Sequence, residues 1–321
     1  MADRFFRYTL SVTALFLLPH ILTAAEKADT LRLKLLKAVF LEGAGVYNLS
    51  GMALSADGWL YLSDDNGPAP PGWEVENPVL LRLKVDSLID PKIAVPHIEA
   101  LEIGQDAFAR LAKQTGKMFK YDLEGVAVAD KNRLWAIDER DRLLLEYDLS
   151  TGSLTCLAGP EELLKGQDDL ASGRINNGFE GITVIGKRLF LAHEMFPNLI
   201  ASYRLNGKLE PGPRITLEGS SDINGLDLDR GFLYALARTG SMIYKINPEN
   251  GQTSTVAEFR ETADSSAYRY QNPREYYRNS EGLAVKGGYI FVVCDGNGKF
   301  ILGNPDQRAP LVLIFKRPET F

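Results

Sequence analysis

The sequence predicts an all-β fold, a β-propeller of four-stranded antiparallel blades. Three observations carry this: a motif recurring in phase, hairpin turns inside every copy, and an N-terminal strand that completes the last copy. The copies are "SGMALSADGWLYLSDD" from Ser50, "EGVAVADKNRLWAIDE" from Glu124, "EGITVIGKRLFLAHE" from Glu180, "NGLDLDRGFLYALAR" from Asn224 and "EGLAVKGGYIFVVCD" from Glu281. Each opens with a small or polar residue and a glycine. Two short apolar strands follow, joined by turn residues such as Ala56-Asp57-Gly58 or Lys286-Gly287-Gly288.

The second strand of each copy carries an aliphatic–aromatic pair: Leu60-Tyr61, Leu134-Trp135, Leu189-Phe190, Leu233-Tyr234 and Ile290-Phe291. A third, alternating strand comes next: "VLLRLKVD", "LLLEYDLS", "IASYRLNG", "MIYKINPE" and "LVLIFKRP". A fourth is legible in "SLTCLAG", "PRITLEG" and "STVAEFR". The mean spacing between the motif glycines is about 58 residues, the size of a blade. The last unit stops after its third strand, and "LRLKLLKAVFL" from Leu31 supplies the missing fourth, closing the ring. Five blades are expected, with a degenerate sixth as the alternative, in one domain over residues 31–318.

Residues 1–25 read as a signal peptide. Arg4 and Arg7 precede the apolar run "YTLSVTALFLLPHILTA", and small residues come before charge returns at Glu26. With Pro19 and His20 interrupting it, the run is short for a membrane span, though an uncleaved anchor is the alternative. The expected product is periplasmic or secreted, without stable membrane insertion, and monomeric. Losing Asp3, Arg4 and Arg7 with the signal takes the net charge from −6 to −7. That balance argues against a nucleic-acid partner, which requires a basic face. Cys156 and Cys294 fall in different repeats and read as thiols rather than a disulfide.

A hairpin brings the start of its first strand beside the end of its second. Ser50 therefore neighbours Asp64 and Asp65, Glu124 neighbours Asp138 and Glu139, and Glu180 neighbours His193 and Glu194. Asn224 neighbours Arg238, and Glu281 neighbours Asp295. Since the first strand of a propeller blade lines the axis, Ser50, Glu124, Glu180, Asn224 and Glu281 should form a polar ring around one end of the channel. Converging carboxylates repel, so they bind protons or a cation, unless the Glu-Gly pair is a structural device accepting amide hydrogen bonds from the next blade. All-oxygen ligation suits Ca2+ first and Mg2+ second. The glycine lets backbones crowd close to the axis.

The loops at the Glu-Gly end are long, and long loops on a rigid scaffold carry function. One of them, before Leu123, contains Phe108, Leu111, Ala112 and Met118 at helical spacing and reads as a short helix packed on the rim. Another is rich in tyrosine and arginine: Tyr268, Arg269, Tyr270, Arg274, Tyr276, Tyr277 and Arg278. With Arg140, Arg174, Arg238 and Asn297 these residues are candidates for binding a phosphate or carboxylate above the acidic mouth. The candidate catalytic groups are Asp64, Asp65, Asp138, Glu139, His193, Glu194 and Asp295. After removal of the signal only His97, expected in an outer strand, and His193 remain. There is no G-x-S-x-G elbow, no H-E-x-x-H, no phosphate-binding glycine loop and no C-x-x-C. Metal-activated water with carboxylate bases is the chemistry left open to an enzyme.

"NNGFEG", "DLEGVAVADKNRLWAIDE" and "NLSGMALSADGWLYLSDDNG" resemble the esterase-like-activity-of-phytase propeller family of exported bacterial proteins. A more distant likeness is to the calcium-activated nucleotidases, or apyrases, five-bladed propellers with a central calcium. That likeness implies calcium amid Ser50, Glu124, Glu180, Asn224 and Glu281, with Asp64 and Asp65 beside the reacting phosphate. Two functions follow as expectations. One is a metal-dependent hydrolase of a small phosphoester or phosphoanhydride. The other is a non-catalytic exported propeller that binds a sugar, lipid or protein, with calcium as a structural ion.

Overall fold

The structure is a computed structural model. It describes residues 29–42, 48–65, 80–101, 103, 105–116, 122–165, 170, 178–194, 198–217, 222–271 and 279–321. The signal segment lies outside these residues, as do Met118, Arg174, Arg274, Tyr276, Tyr277 and Arg278. Among the described residues no helix is long and apolar enough to cross a membrane.

Two N-terminal strands, β1 (Asp29–Arg32) and β2 (Lys34–Phe40), precede the first repeat. Blade 1 holds β3 (Leu49–Leu54), β4 (Trp59–Asp64), β5 (Leu80–Lys84) and β6 (Glu99–Leu101). Blade 2 holds β7 (Leu123–Asp130), β8 (Arg133–Asp138), β9 (Leu143–Asp148) and β10 (Ser153–Ala158). Blade 3 holds β11 (Phe179–Ile185), β12 (Arg188–His193), β13 (Leu199–Leu205) and β14 (Leu209–Thr216). Blade 4 holds β15 (Gly225–Asp229), β16 (Phe232–Ala237), β17 (Met242–Ile246) and β18 (Thr253–Glu258). Blade 5 holds β19 (Ser280–Lys286), β20 (Tyr289–Cys294) and β21 (Leu311–Lys316). Five blades are present, as the repeat requires.

The ring closes as expected, with β2 antiparallel to β21 from Lys34↔Lys316 to Phe40↔Leu311. The closing strand is shorter than "LRLKLLKAVFL", however. The chain breaks at Leu33, and β1 lies parallel to β18 as a fifth strand on the edge of blade 4. His97 is likewise not in the outer strand but just before it.

The aliphatic–aromatic pair now has a physical reason. Successive residues of a strand face opposite sides, so the second strand of each blade serves two inter-blade layers at once. Leu60 packs with Val293 and Phe291 of blade 5, whereas Tyr61 packs with Val126 and Leu134 of blade 2. Trp135 continues into the layer shared with Leu189, Phe190 into that with Leu233, and Tyr234 into that with Ile290. Each apolar layer thus joins aliphatic side chains of one blade to the aromatic of its neighbour, and the core lies between blades. The rim helix Gln105–Thr115 buries Ala107 and Leu111 in the layer between blades 1 and 2. Both cysteines are free thiols, Cys294 buried and Cys156 half-buried.

The innermost strands meet around the axis in the order β3, β7, β11, β15, β19 and back to β3. The motif glycines permit this closeness. A Cβ on Gly125 would lie 2.5 Å from the carbonyl oxygen of Glu180, and one on Gly282 would lie 2.6 Å from that of Ser50. The crowding is backbone on backbone between blades.

Candidate functional site

Ser50, Glu124, Glu180 and Glu281 each occupy a shift in register between the first and second strands. Leu123 faces Asp138, and Gly125 already faces Ile137, so Glu124 is the extra, unpaired residue. Such a bulge re-aims one side chain. Two residues on, Met52, Val126, Ile182, Leu226 and Leu283 are buried. They line the axis next to Glu180 and Asn224, so the axis is polar at the ring and apolar below it. A cavity of about 10 Å³ remains there, bordered by Glu180, Asn224 and these apolar residues.

The ring residues are all buried. The Ser50 hydroxyl donates to Glu124 Oε2, and Asn224 Nδ2 donates to Glu180 Oε2 at 3.3 Å. Carboxylate oxygens of Glu124, Glu139 and Glu180 come within 4.8 Å of one another, as do those of Asp65, Asp122 and Glu124. Burial pushes Glu124 and Glu180 well above the ordinary carboxylate range; neighbouring carboxylates add to it, Glu180 at Glu124 and Glu194 at Glu180, and Arg238 opposes it at Glu180. Burial lifts Glu139 to about 7, and lifts Asp65 to about 10 with help from its hydrogen bond to Asp122. Asn224 Oδ1 is buried and has no hydrogen-bond partner. A buried carbonyl oxygen beside crowded carboxylates is the donor set that a hard divalent cation satisfies.

Other sequence candidates have different work. Asp64 Oδ1 accepts the Asn48 amide at 2.8 Å. Asp138 accepts the amides of Asp122 at 2.7 Å and Asp141 at 2.8 Å. Both therefore hold the chain two residues before the ring. Asp295, lifted by burial to about 8, accepts the Asn297 amide at 2.8 Å, and Asn297 itself is exposed on the rim. His193 pairs with Phe179 and meets its ring edge-on at 6.0 Å, on the strand face that carries Leu189 and Leu191 into the core. That places it in an inter-blade layer beside Phe179. Arg140 is half-buried at the rim, 3.4 Å from Asp122.

Arg238 departs from expectation. It does not stand above the mouth as a phosphate clamp but lies inside, buried, with Nη1 on both oxygens of Glu281 at 2.8 and 2.6 Å. Its Nη2 reaches Glu194 at 2.5 Å and its Nε reaches Asp222 at 3.4 Å. Burial raises Glu281, and the guanidinium opposes that. The sequence reading also missed Asp122 and Asp222. Their signal was available: each stands two residues before a ring residue, the offset of Asn48 and Asn279 in other copies.

Fold and site together define a five-bladed propeller with a buried acidic mouth at one end of its axis. Residues 44–196 match the model of the phytase-like family described as esterase-like activity of phytase, so the resemblance seen in the sequence holds across that span. No curated protein matches the chain by sequence. Among solved structures, glutaminyl cyclase from Myxococcus xanthus is similar at 14% identity and a TM-score of 0.55, covering 91% of this chain and 100% of that one. A nidogen/laminin complex is 12% identical, with a TM-score of 0.44 over 86% of this chain and 82% of that one. A Bacteroides thetaiotaomicron protein of unknown function is 14% identical, with a TM-score of 0.46 over 81% and 55%. At such identity the cyclase shows the fold alone.

Proposed function

We propose that the protein is an exported, metal-dependent hydrolase of a small phosphoester or phosphoanhydride, acting at the loop-bearing mouth as a monomer. A hydrolase-like function is what the phytase-like match favours. The observation that carries the metal is the convergence of Glu124, Glu139 and Glu180 beside the unpartnered oxygen of Asn224. These residues would hold the ion, calcium first and magnesium second, because every donor is a hard oxygen. When bound, such an ion polarises phosphoryl oxygen and lowers the pKa of water.

The chain's own groups supply the proton chemistry. Glu139, lifted to about 7 by burial in the metal-free protein, would give up its proton on holding the ion, so ion binding should release protons near neutral pH. Asp65, raised by burial and by its hydrogen bond to Asp122, is the group able to give a proton to a leaving oxygen. Arg140 at the rim offers a guanidinium to an arriving phosphate.

The test is phosphate release from a panel of phosphoesters and nucleotides, with calcium and with EDTA. Release that EDTA abolishes, calcium restores and Glu180→Gln removes supports the reading. Undiminished turnover in chelator overturns it. A calcium-raised melting temperature without turnover on any substrate would favour the non-catalytic propeller instead.

A further inference from the structure

We infer that Arg238 is a built-in cation that fills the blade 4–5 side of the axial mouth. The exchangeable ion is thereby confined to the blade 2–3 side, and Glu281 is not one of its ligands. The inference rests on the proposed cation site and departs from a symmetric ring of five ligands.

The outer positions of the repeat explain how this arises. Asp65, Glu139, Glu194 and Asp295 stand at one structural place, each backbone amide bonded to the carbonyl two residues before its own ring residue. Blade 4 carries Arg238 at the matching place, four residues beyond the aromatic Tyr234. A long cationic side chain thus enters a ring otherwise made of acids. It takes both oxygens of Glu281 and also bonds Glu194 and Asp222, so one carboxylate from each of blades 3, 4 and 5 shares a single guanidinium.

The opposite side has no such ion pair, and Arg238 reaches Glu180 only through its charge. Glu124 receives only the Ser50 hydroxyl, Glu139 the Gly178 amide at 2.8 Å, and Glu180 the Asn224 amide. Among the described residues none of these three carboxylates is ion-paired with lysine or arginine. Asn224 marks the boundary: its Nδ2 is on Glu180, and its Oδ1 lacks a partner. Two cations in one small, poorly solvated cavity repel strongly, so a fixed guanidinium at Glu281 steers a mobile ion toward Glu124 and Glu180.

Calcium titration calorimetry on the whole protein and three variants tests this. Wild type should bind one ion. Arg238→Met leaves Glu281, Glu194 and Asp222 without their cation and should bind a second. The double variant Arg238→Met/Glu281→Gln removes that ion pair as a unit and should keep the first site. Glu180→Gln should lose about 100-fold or more in affinity. If Arg238→Met does not fold in EDTA, rescue by calcium supports the inference, and the double variant still decides it. A double variant that has lost the wild-type site shows Glu281 to be a ligand and overturns the inference alone. Wild-type protein that binds no calcium removes the cation reading as well.

Discussion

Gly125 abuts Glu180 so closely that a Cβ on the glycine would lie 2.5 Å from the glutamate's carbonyl oxygen. The same contact recurs around the axis, from Gly181 to Asn224 and from Gly225 to Glu281. The motif glycine is thus a condition of closing the ring of innermost strands. Gly125→Ala should destabilise the protein by about 1–3 kcal/mol in thermal or denaturant melts, because backbone cannot yield as a side chain does. Gly288→Ala is the control: nothing lies within 4 Å of its added Cβ, and its stability should be unchanged. Equal melts for the two variants would refute the close-approach argument.

The buried carboxyls set the pH dependence of the metal-free protein. Folding raises Asp138 and Glu139 to about 7, Asp295 to about 8 and Asp65 to about 10, each mainly through burial. A carboxyl whose folded pKa is raised contributes stability that is present below its unfolded value and lost as pH climbs through its folded value. In EDTA the melting temperature should therefore fall as pH rises from about 4 to 8. Saturating calcium should flatten that decline by compensating the ionised ring. A melting temperature that rises over this window in EDTA would contradict the burial of these groups.

Calcium at about 100 times its dissociation constant should stabilise the wild type by about 2.7 kcal/mol. Glu180→Gln should abolish the calcium-induced shift in melting temperature. A shift of wild-type size in that variant would place the ion elsewhere.

Asp138 separates a structural carboxylate from a chemical one. It accepts two backbone amides, so Asp138→Ala should cost about 1–3 kcal/mol of stability by leaving buried N–H groups unsatisfied. Asp138→Asn, which keeps one acceptor, should fall between. Loss of turnover in Asp138→Asn with no change in melting would assign the residue to chemistry instead.

Gln114 closes the outer edge of blade 2. Its Oε1 accepts the Cys156 amide at 3.1 Å and its Nε2 donates to the Cys156 carbonyl at 2.7 Å, imitating a neighbouring strand. Gln114→Ala should accelerate hydrogen exchange at the Cys156 amide while costing no more than about 1 kcal/mol globally. Unchanged exchange there would show that the clamp does not form in solution.

The sequence by itself determined the blades, their number and the closing of the ring by an N-terminal strand, and it picked out the polar residue that opens each copy. Each depends on a pattern repeated in phase: a polar residue and glycine, a hairpin, and an aliphatic–aromatic pair whose two faces serve two layers. Periodicity survives in one dimension, so these features were legible. Only the tertiary structure decided what the side chains do to one another. The strands of Ser50 and Glu281 meet around an axis although 231 residues separate the two, and Arg238, legible beside Asn224, turns inward onto Glu281. The bulge that turns Glu124 inward, the amides held by Asp64 and Asp138, and the parallel docking of β1 on β18 are likewise outcomes of packing. The direction of a side chain and the sign of its nearest charge depend on neighbours distant in sequence, and those neighbours exist only once the ring has closed.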